Sequence, residues 1–290
     1  MADNNGLGFT TQRTRLLQAY KDTKKDFIAR TLPYHSTAVL QLDVVDADTV
    51  SGIAFAVARE GEALTFFNYA IGDQVDLGGV VGNVKATTAE TNQSVAGNTN
   101  GAMDFVIEGV GLSCRGMRCE YAGANLTYLQ AIADDSDVLA SMTGDRAVYD
   151  PAPLMTPPQM QSPFNLENGM FQSLLAQSSV NFLFDRQRVE EIGTLEMFPQ
   201  SGAASYLRSN GSPEASNRYR IPEGYLWRRS GQPDNNLSVN VRVQKAVVMP
   251  INLATVAAGE AEGTYVAPSK IYLEIVMRLF GLGIDLPSQN

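Results

Sequence analysis

Apolar positions recur at two different periods along this chain, and the change falls near residue 33. In 11–31, "TQRTRLLQAYKDTKKDFIART", Leu16, Leu17, Tyr20, Phe27 and Ile28 stand four, seven and eleven apart. That spacing predicts one thin apolar stripe on a helix, capped by Thr11 or Thr14 and stopped by Pro33. Beyond it the period is two. In 237–243, "LSVNVRV", the four apolar residues alternate with Ser238, Asn240 and Arg242, and 271–280, "IYLEIVMRLF", alternates in the same way. The stretches 36–45, 50–58, 63–71, 103–112, 179–185 and 191–198 complete a set of eight expected strands. One further helix is expected at 125–133, "NLTYLQAIA".

The stretch 63–71, "ALTFFNYAI", carries apolar residues on both of its alternating faces. Double-sided burial follows, with Phe66 and Phe67 expected on opposite faces of one sheet. Three long segments separate the strands. Residues 72–102 are rich in Gly, Asn, Thr and Gln, residues 145–177 hold a run of prolines, and 199–235 mix Gly, Pro and Ser with Tyr206, Tyr219, Tyr225 and Trp227. Loops of this length are usually functional or interface-forming. Because 72–102 lacks aromatic residues, it is expected to order by contact with a neighbouring subunit. Strands without a βαβ rhythm, joined by both short and very long connections, predict an all-β antiparallel sandwich or barrel of jelly-roll type. The expected division is a basic N-terminal arm and helix over 1–35 and one jelly roll over 36–290. A double jelly roll is the alternative, and needs further strands inside 78–102 and 199–235.

Composition narrows the function. Of the 290 residues 44% are hydrophobic but only 18% charged, below the usual quarter. A surface built from Asn, Gln, Ser and Thr suits contact with other subunits. The net charge of −9 argues against nucleic acid as a specific partner. The charge is unevenly spread. Residues 1–30 carry Arg13, Arg15, Lys21, Lys24, Lys25 and Arg30 against three aspartates, a balance of +3, and the rest of the chain stands at −12. This makes a basic arm on an acidic body. The N-terminus lacks the apolar core of a signal peptide, and no run approaches a membrane span.

Candidate chemistry is sparse. Two cysteines, Cys114 and Cys119, and one histidine, His35, cannot close a four-ligand zinc site. Reduced thiols are expected, although spacing alone leaves a Cys114–Cys119 disulfide open. Ser–His or Cys–His catalysis would have to use His35, and no GxSxG context exists. The glycine pairs Gly109/Gly111 and Gly281/Gly283 read as bulges or close strand contacts. Asp43, Asp46 and Asp48, and Asp134, Asp135 and Asp137, could offer oxygen ligands to calcium but lack the EF-hand spacing. No cofactor and no catalytic set is expected.

The order "RTLPYHSTAVLQL", "LTFFNYAIGD", "TAETN", "FVIEGVGLSCRG", then "NRYRIPEGYLW" and "RLFGLGIDLPSQN" resembles the major capsid proteins of tailless icosahedral phages with an internal membrane, the vertical β-barrel lineage. That resemblance implies an upright jelly roll, self-assembly into capsomers, neighbouring minor or penton proteins, and a lipid layer beneath. It also implies synthesis in the host cytoplasm and residence in the virion, and it brings no catalytic residues. The basic arm is then expected to face anionic lipid. The alternative reading is a carbohydrate-binding or hydrolytic β-sandwich, such as a phage receptor-binding domain, with Tyr206, Tyr219, Tyr225 and Trp227 in a sugar site.

Overall fold

Period-two burial runs through the structure, a computed structural model that describes residues 12–22, 28–48, 50–77, 84–100, 103–122, 139–143, 146–149, 171, 173–185, 187–193, 218–232, 235–255 and 265–285. One helix, α1 (Gln12–Asp22), precedes sixteen strands: β1 (Ile28–Asp48), β2 (Ile53–Ala58), β3 (Ala63–Phe66), β4 (Gln74–Val75), β5 (Val84–Lys85), β6 (Met103–Ala122), β7 (Leu139–Thr143) and β8 (Arg146–Tyr149). Then follow β9 (Ser178–Phe184), β10 (Gln187–Gly193), β11 (Arg218–Trp227), β12 (Leu237–Val243), β13 (Val247–Asn252), β14 (Ala254–Thr255), β15 (Tyr265–Val266) and β16 (Lys270–Asp285).

Every pairing among these strands is antiparallel. The larger sheet runs β13-β2-β1-β16-β6-β8-β7, with β11 also on β6, and faces a smaller sheet ordered β10-β9-β12-β3. The protein is therefore all-β, as its alternation predicts. Four pairs are nested in the chain: β1 with β16, β3 with β12, β6 with β11, and β9 with β10. Two further ladders, β16 with β6 and β12 with β9, join these pairs into the two sheets. Ile271, Leu273, Ile275, Met277 and Leu279 of β16 meet Leu237, Val239 and Val241 of β12 and Val180, Phe182 and Phe184 of β9 in one apolar core. At 21 residues β1 spans roughly 70 Å.

Several expectations are corrected. The helix does not extend to residue 31: α1 is described over Gln12–Asp22, and Ile28, placed on its stripe, opens β1 and stands 53% exposed. Pro33 does not end a helix but sits inside β1 opposite Phe280. It is tolerated because its carbonyl, and hence its nitrogen, faces away from β16 toward Asn92, so no ladder bond is lost. Phe66 and Phe67 do not lie on opposite faces. β3 ends at Phe66, and Phe67 takes a φ of 62°, so both rings enter the same core with no exposure. That left-handed backbone costs roughly 1 kcal/mol or more and is held by ring burial and by a bond from the Phe67 N–H to Ser36 Oγ at 2.9 Å.

The expected loop 199–235 contains β11, and the strand expected at 191–198 overlaps β10, which begins earlier at Gln187, with 194–198 outside the described residues. The helix expected at 125–133 falls outside the described residues. Gly281 and Gly283 behave as expected of close contacts. β6 bulges at Glu108 where it passes Phe280 and Gly281 of β16, and a Cβ on Gly281 would lie 1.8 Å from the Val106 carbonyl oxygen.

Candidate functional site

The basic arm is built around the packing of α1. Leu16 and Tyr20 press on Val106 of β6 and on Leu282 and Ile284 of β16, with Leu17 and Leu226 at the margin. The helix thus covers the outer face of the larger sheet at the end where β1 begins. Tyr20 donates its hydroxyl to Asp104 at 2.7 Å, and the other Asp104 oxygen accepts the Arg229 N–H at 2.9 Å. Burial, reinforced by the Asp104 carboxylate, pushes the Tyr20 phenol well above its usual range.

The structure places four of the six predicted basic residues at this end. Arg13 pairs with Glu108 at 3.2 Å and Arg30 with Asp285 at 3.3 Å. Arg15 and Lys21 stand exposed on α1 and form no ion pair among the described residues. Lys24 and Lys25 lie outside the described residues. Sequence reasoning missed Arg228 and Arg229, whose charges reach Tyr20 from the end of β11. Two hundred residues separate them from the arm, and only the β11–β6 pairing brings them beside it.

Farther along the same outer face lies an ionic network. Glu274 of β16 bonds Arg118 at 3.2 Å and also Arg115, both from β6. Arg115 continues to Glu90 at 3.4 Å and to the Ala89 carbonyl at 2.7 Å. Arg118 is 8% and Glu274 9% exposed. Next to them the buried Glu120 accepts the Tyr272 hydroxyl at 2.7 Å. These charges hold the segment around Glu90 against the sheet.

That segment is also stitched to β1, which corrects the expectation that 72–102 orders only against a neighbour. Asn92 donates to the Pro33 carbonyl at 2.8 Å and accepts from the His35 N–H at 2.9 Å. Thr91 bridges to Ser36, and Gly97 accepts bonds from Trp227 Nε1 and the Leu237 N–H. Buried Thr91, Gln93 and Thr99 take the place of an apolar core.

His35 belongs to this seam. Its Nε2 lies 3.1 Å from the Thr88 carbonyl, and burial lowers its pKa below the usual 6.5, with Arg278 and Arg115 adding to the effect against the Thr88 bond and Glu90. The folded protein therefore binds this proton less readily than the unfolded chain. The stability it contributes is fully present above about pH 6.5 and falls as the pH drops from there through the lower folded pKa. Thermal melts between pH 7.5 and 5 should show a steeper decline in the wild type than in His35→Gln. Parallel profiles would remove His35 as a cause.

Most of the remaining candidate chemistry dissolves into structure, while Asp134, Asp135 and Asp137 lie outside the described residues. Cys114 and Cys119 are not joined in a disulfide, and burial raises the Cys119 pKa well above its usual value. Asp43 pairs with Arg59, and Asp48 accepts the Val50 and Ser51 N–H groups as a turn cap. Among the described residues no three His, Cys, Asp or Glu side chains come together as a metal site. Trp227 is fully buried and Tyr225 packs on Phe182 and Phe184, so neither offers a platform to a sugar. The side chains of Tyr206 and Tyr219 lie outside the described residues. No helix among the described residues is long and apolar enough to cross a membrane. Comparison with protein-family models, curated proteins and solved structures finds no match.

Proposed function

We propose that this chain is a self-assembling capsid subunit, a jelly roll whose copies group into capsomers of an icosahedral shell over an internal membrane. The strand order carries the reading. Counting only the eight strands of the nested pairs, the sheets run first-eighth-third-sixth and second-seventh-fourth-fifth. Wrapping one long antiparallel ribbon, first strand on eighth through fourth on fifth, around a barrel generates that order, which is the jelly-roll arrangement common in viral shells. The low charge of the chain and the internal stitching of the stretch around Thr91 to Asn100 suit a rigid, many-copy building block. Minor or penton proteins at the shell's vertices would be its other partners. Electron microscopy of the concentrated purified protein should show sheets, rosettes or closed shells. A protein that stays strictly monomeric at every concentration would overturn this reading.

Within it, the basic end faces the lipid. The apolar stripe of α1 is spent on its own sheet, so contact with anionic headgroups would be electrostatic, on the order of 1 kcal/mol per basic residue and weakened by salt. Flotation with anionic liposomes should therefore occur at low salt and vanish at high salt. It should be lost in the double variant Arg15→Glu, Lys21→Glu, which leaves the packing of Leu16 and Tyr20 intact. Equal flotation by both proteins, or by neither, would leave α1 a purely structural helix.

A further inference from the structure

Residues 87–93 lie along the edge of β1 that faces away from β16, as a strap whose ties are polar. Three successive carbonyls of the strap are held by side chains. Thr88 lies 3.1 Å from His35 Nε2, Ala89 accepts from Arg115 at 2.7 Å, and Glu90 accepts from the Tyr69 hydroxyl at 3.3 Å. The His35 backbone completes the seam, its N–H donating to Asn92 Oδ1 at 2.9 Å and its carbonyl accepting from the Thr91 hydroxyl at 3.2 Å. Two polar atoms at this seam are buried without a hydrogen bond, Thr37 Oγ1 on β1 and Gln93 Oε1 on the strap. Each carries a desolvation cost that opening relieves. A seam held by a few polar bonds and opposed by two orphaned groups has the profile of a unit that opens locally.

His35 stands where charges converge on this seam. Among the described residues, Arg278 of β16 is its register partner, Arg115 reaches toward it from β6, and Glu90 faces it from the strap, with Glu274 behind Arg115. A carbonyl only accepts, so Nε2–H of the neutral ring donates to Thr88 and a second proton goes to Nδ1. That proton makes His35 a third cation beside two guanidiniums, while Glu90 is already engaged by Arg115. Burial, together with Arg278 and Arg115, disfavours the charged ring in the closed form and outweighs the Thr88 bond and Glu90.

We propose that residues 87–93 form an acid-released strap: protonation of His35 lifts them from β1 while Gly97 keeps the far end anchored. The anchor involves none of these charges, since the Gly97 carbonyl accepts the Leu237 N–H at 2.7 Å and Trp227 Nε1 at 3.2 Å. The open form takes up the proton near pH 6.5 and the closed form only at lower pH, so acid favours opening. Release uncovers the edge of β1 at Pro33 and His35, whose backbone groups then become available to another extended chain. The device does not depend on the self-assembly reading.

Amide exchange of the full chain, corrected for the intrinsic pH dependence of exchange, tests it. Between pH 7.5 and 5.5, opening at the His35 and Asn92 amides should rise severalfold, to at most about tenfold because pH 5.5 lies one unit below the ordinary histidine value. The Leu237 amide, at the anchor, should stay protected. His35→Gln keeps a donor for the Thr88 carbonyl without the charge and should show no rise. Equal acceleration in wild type and His35→Gln assigns the opening to another group and overturns the proposal, as does no acceleration in the wild type. Acceleration of the Leu237 amide in step with the other two means that the sandwich itself loosens, which also overturns it. Should His35→Gln fail to fold, Arg278→Gln takes its place, removing a facing cation at an exposed site. A smaller rise than in the wild type then supports the proposal, and an unchanged rise overturns it.

Discussion

Replacing Trp227 by alanine is expected to destabilise the protein by about 3–5 kcal/mol, the range for truncating a buried aromatic ring. The Trp227 side chain joins several parts of the molecule. Its ring lies 4.9 Å from Tyr34, 6.2 Å from Phe105 and 6.3 Å from Phe67, three residues from three different strand regions. Its Nε1 donates to the carbonyls of Gly97 and Asn235 at 3.2 and 2.9 Å, tying two connecting segments to the core. Trp227→Phe keeps most of the volume and loses only those bonds, at about 1 kcal/mol. Urea unfolding followed by circular dichroism separates the two effects. A Trp227→Ala protein that unfolds at the wild-type midpoint would contradict the packing described.

Removing Glu274 should be nearly as damaging, for an electrostatic reason. Arg115 would keep Glu90, but Arg118, 8% exposed, would be left buried without its carboxylate. Breaking a buried pair from one side costs about 3–5 kcal/mol, whereas replacing both partners by apolar residues of similar size is often close to neutral. Glu274→Ala should therefore unfold at a much lower denaturant concentration, and Glu274→Leu with Arg118→Met should recover most of the loss. If the double variant is worse than the single one, the network holds the sheet by something other than mutual neutralisation.

What the sequence made legible depends on how each contact is made. β12 could be bounded to the residue, 237–243, because one face is buried and the other is not, which leaves strict alternation. β16 was visible for the same reason, although its continuation to Asp285 was hidden by the glycines that let it pass so close to β6. β11 was missed because Pro222, Gly224 and a register shift between Arg220 and Tyr225 break its period inside a Gly/Pro-rich stretch. Alternation also misplaced Phe67, since a single left-handed residue reverses the side on which the next ring falls. The basic end was half visible: the arm reads as charge along the chain, but Arg228 and Arg229 join it only through strand pairing.

The long ladders of β16 with β1 and β6 bear on how the chain is made. β16 follows every other described strand in sequence yet lies at the middle of the larger sheet, touching β1 over sixteen residue pairs and β6 over another sixteen. On the ribosome, both of those strands, 21 and 20 residues long, must wait with one side unpaired until β16 emerges. Pairings this distant in sequence form slowly, and exposed strand edges invite mispairing between nascent chains. The larger sheet is thus expected to be completed only once Lys270–Asp285 has emerged, and chains cut short before Lys270 should accumulate as insoluble aggregates rather than as smaller folded domains.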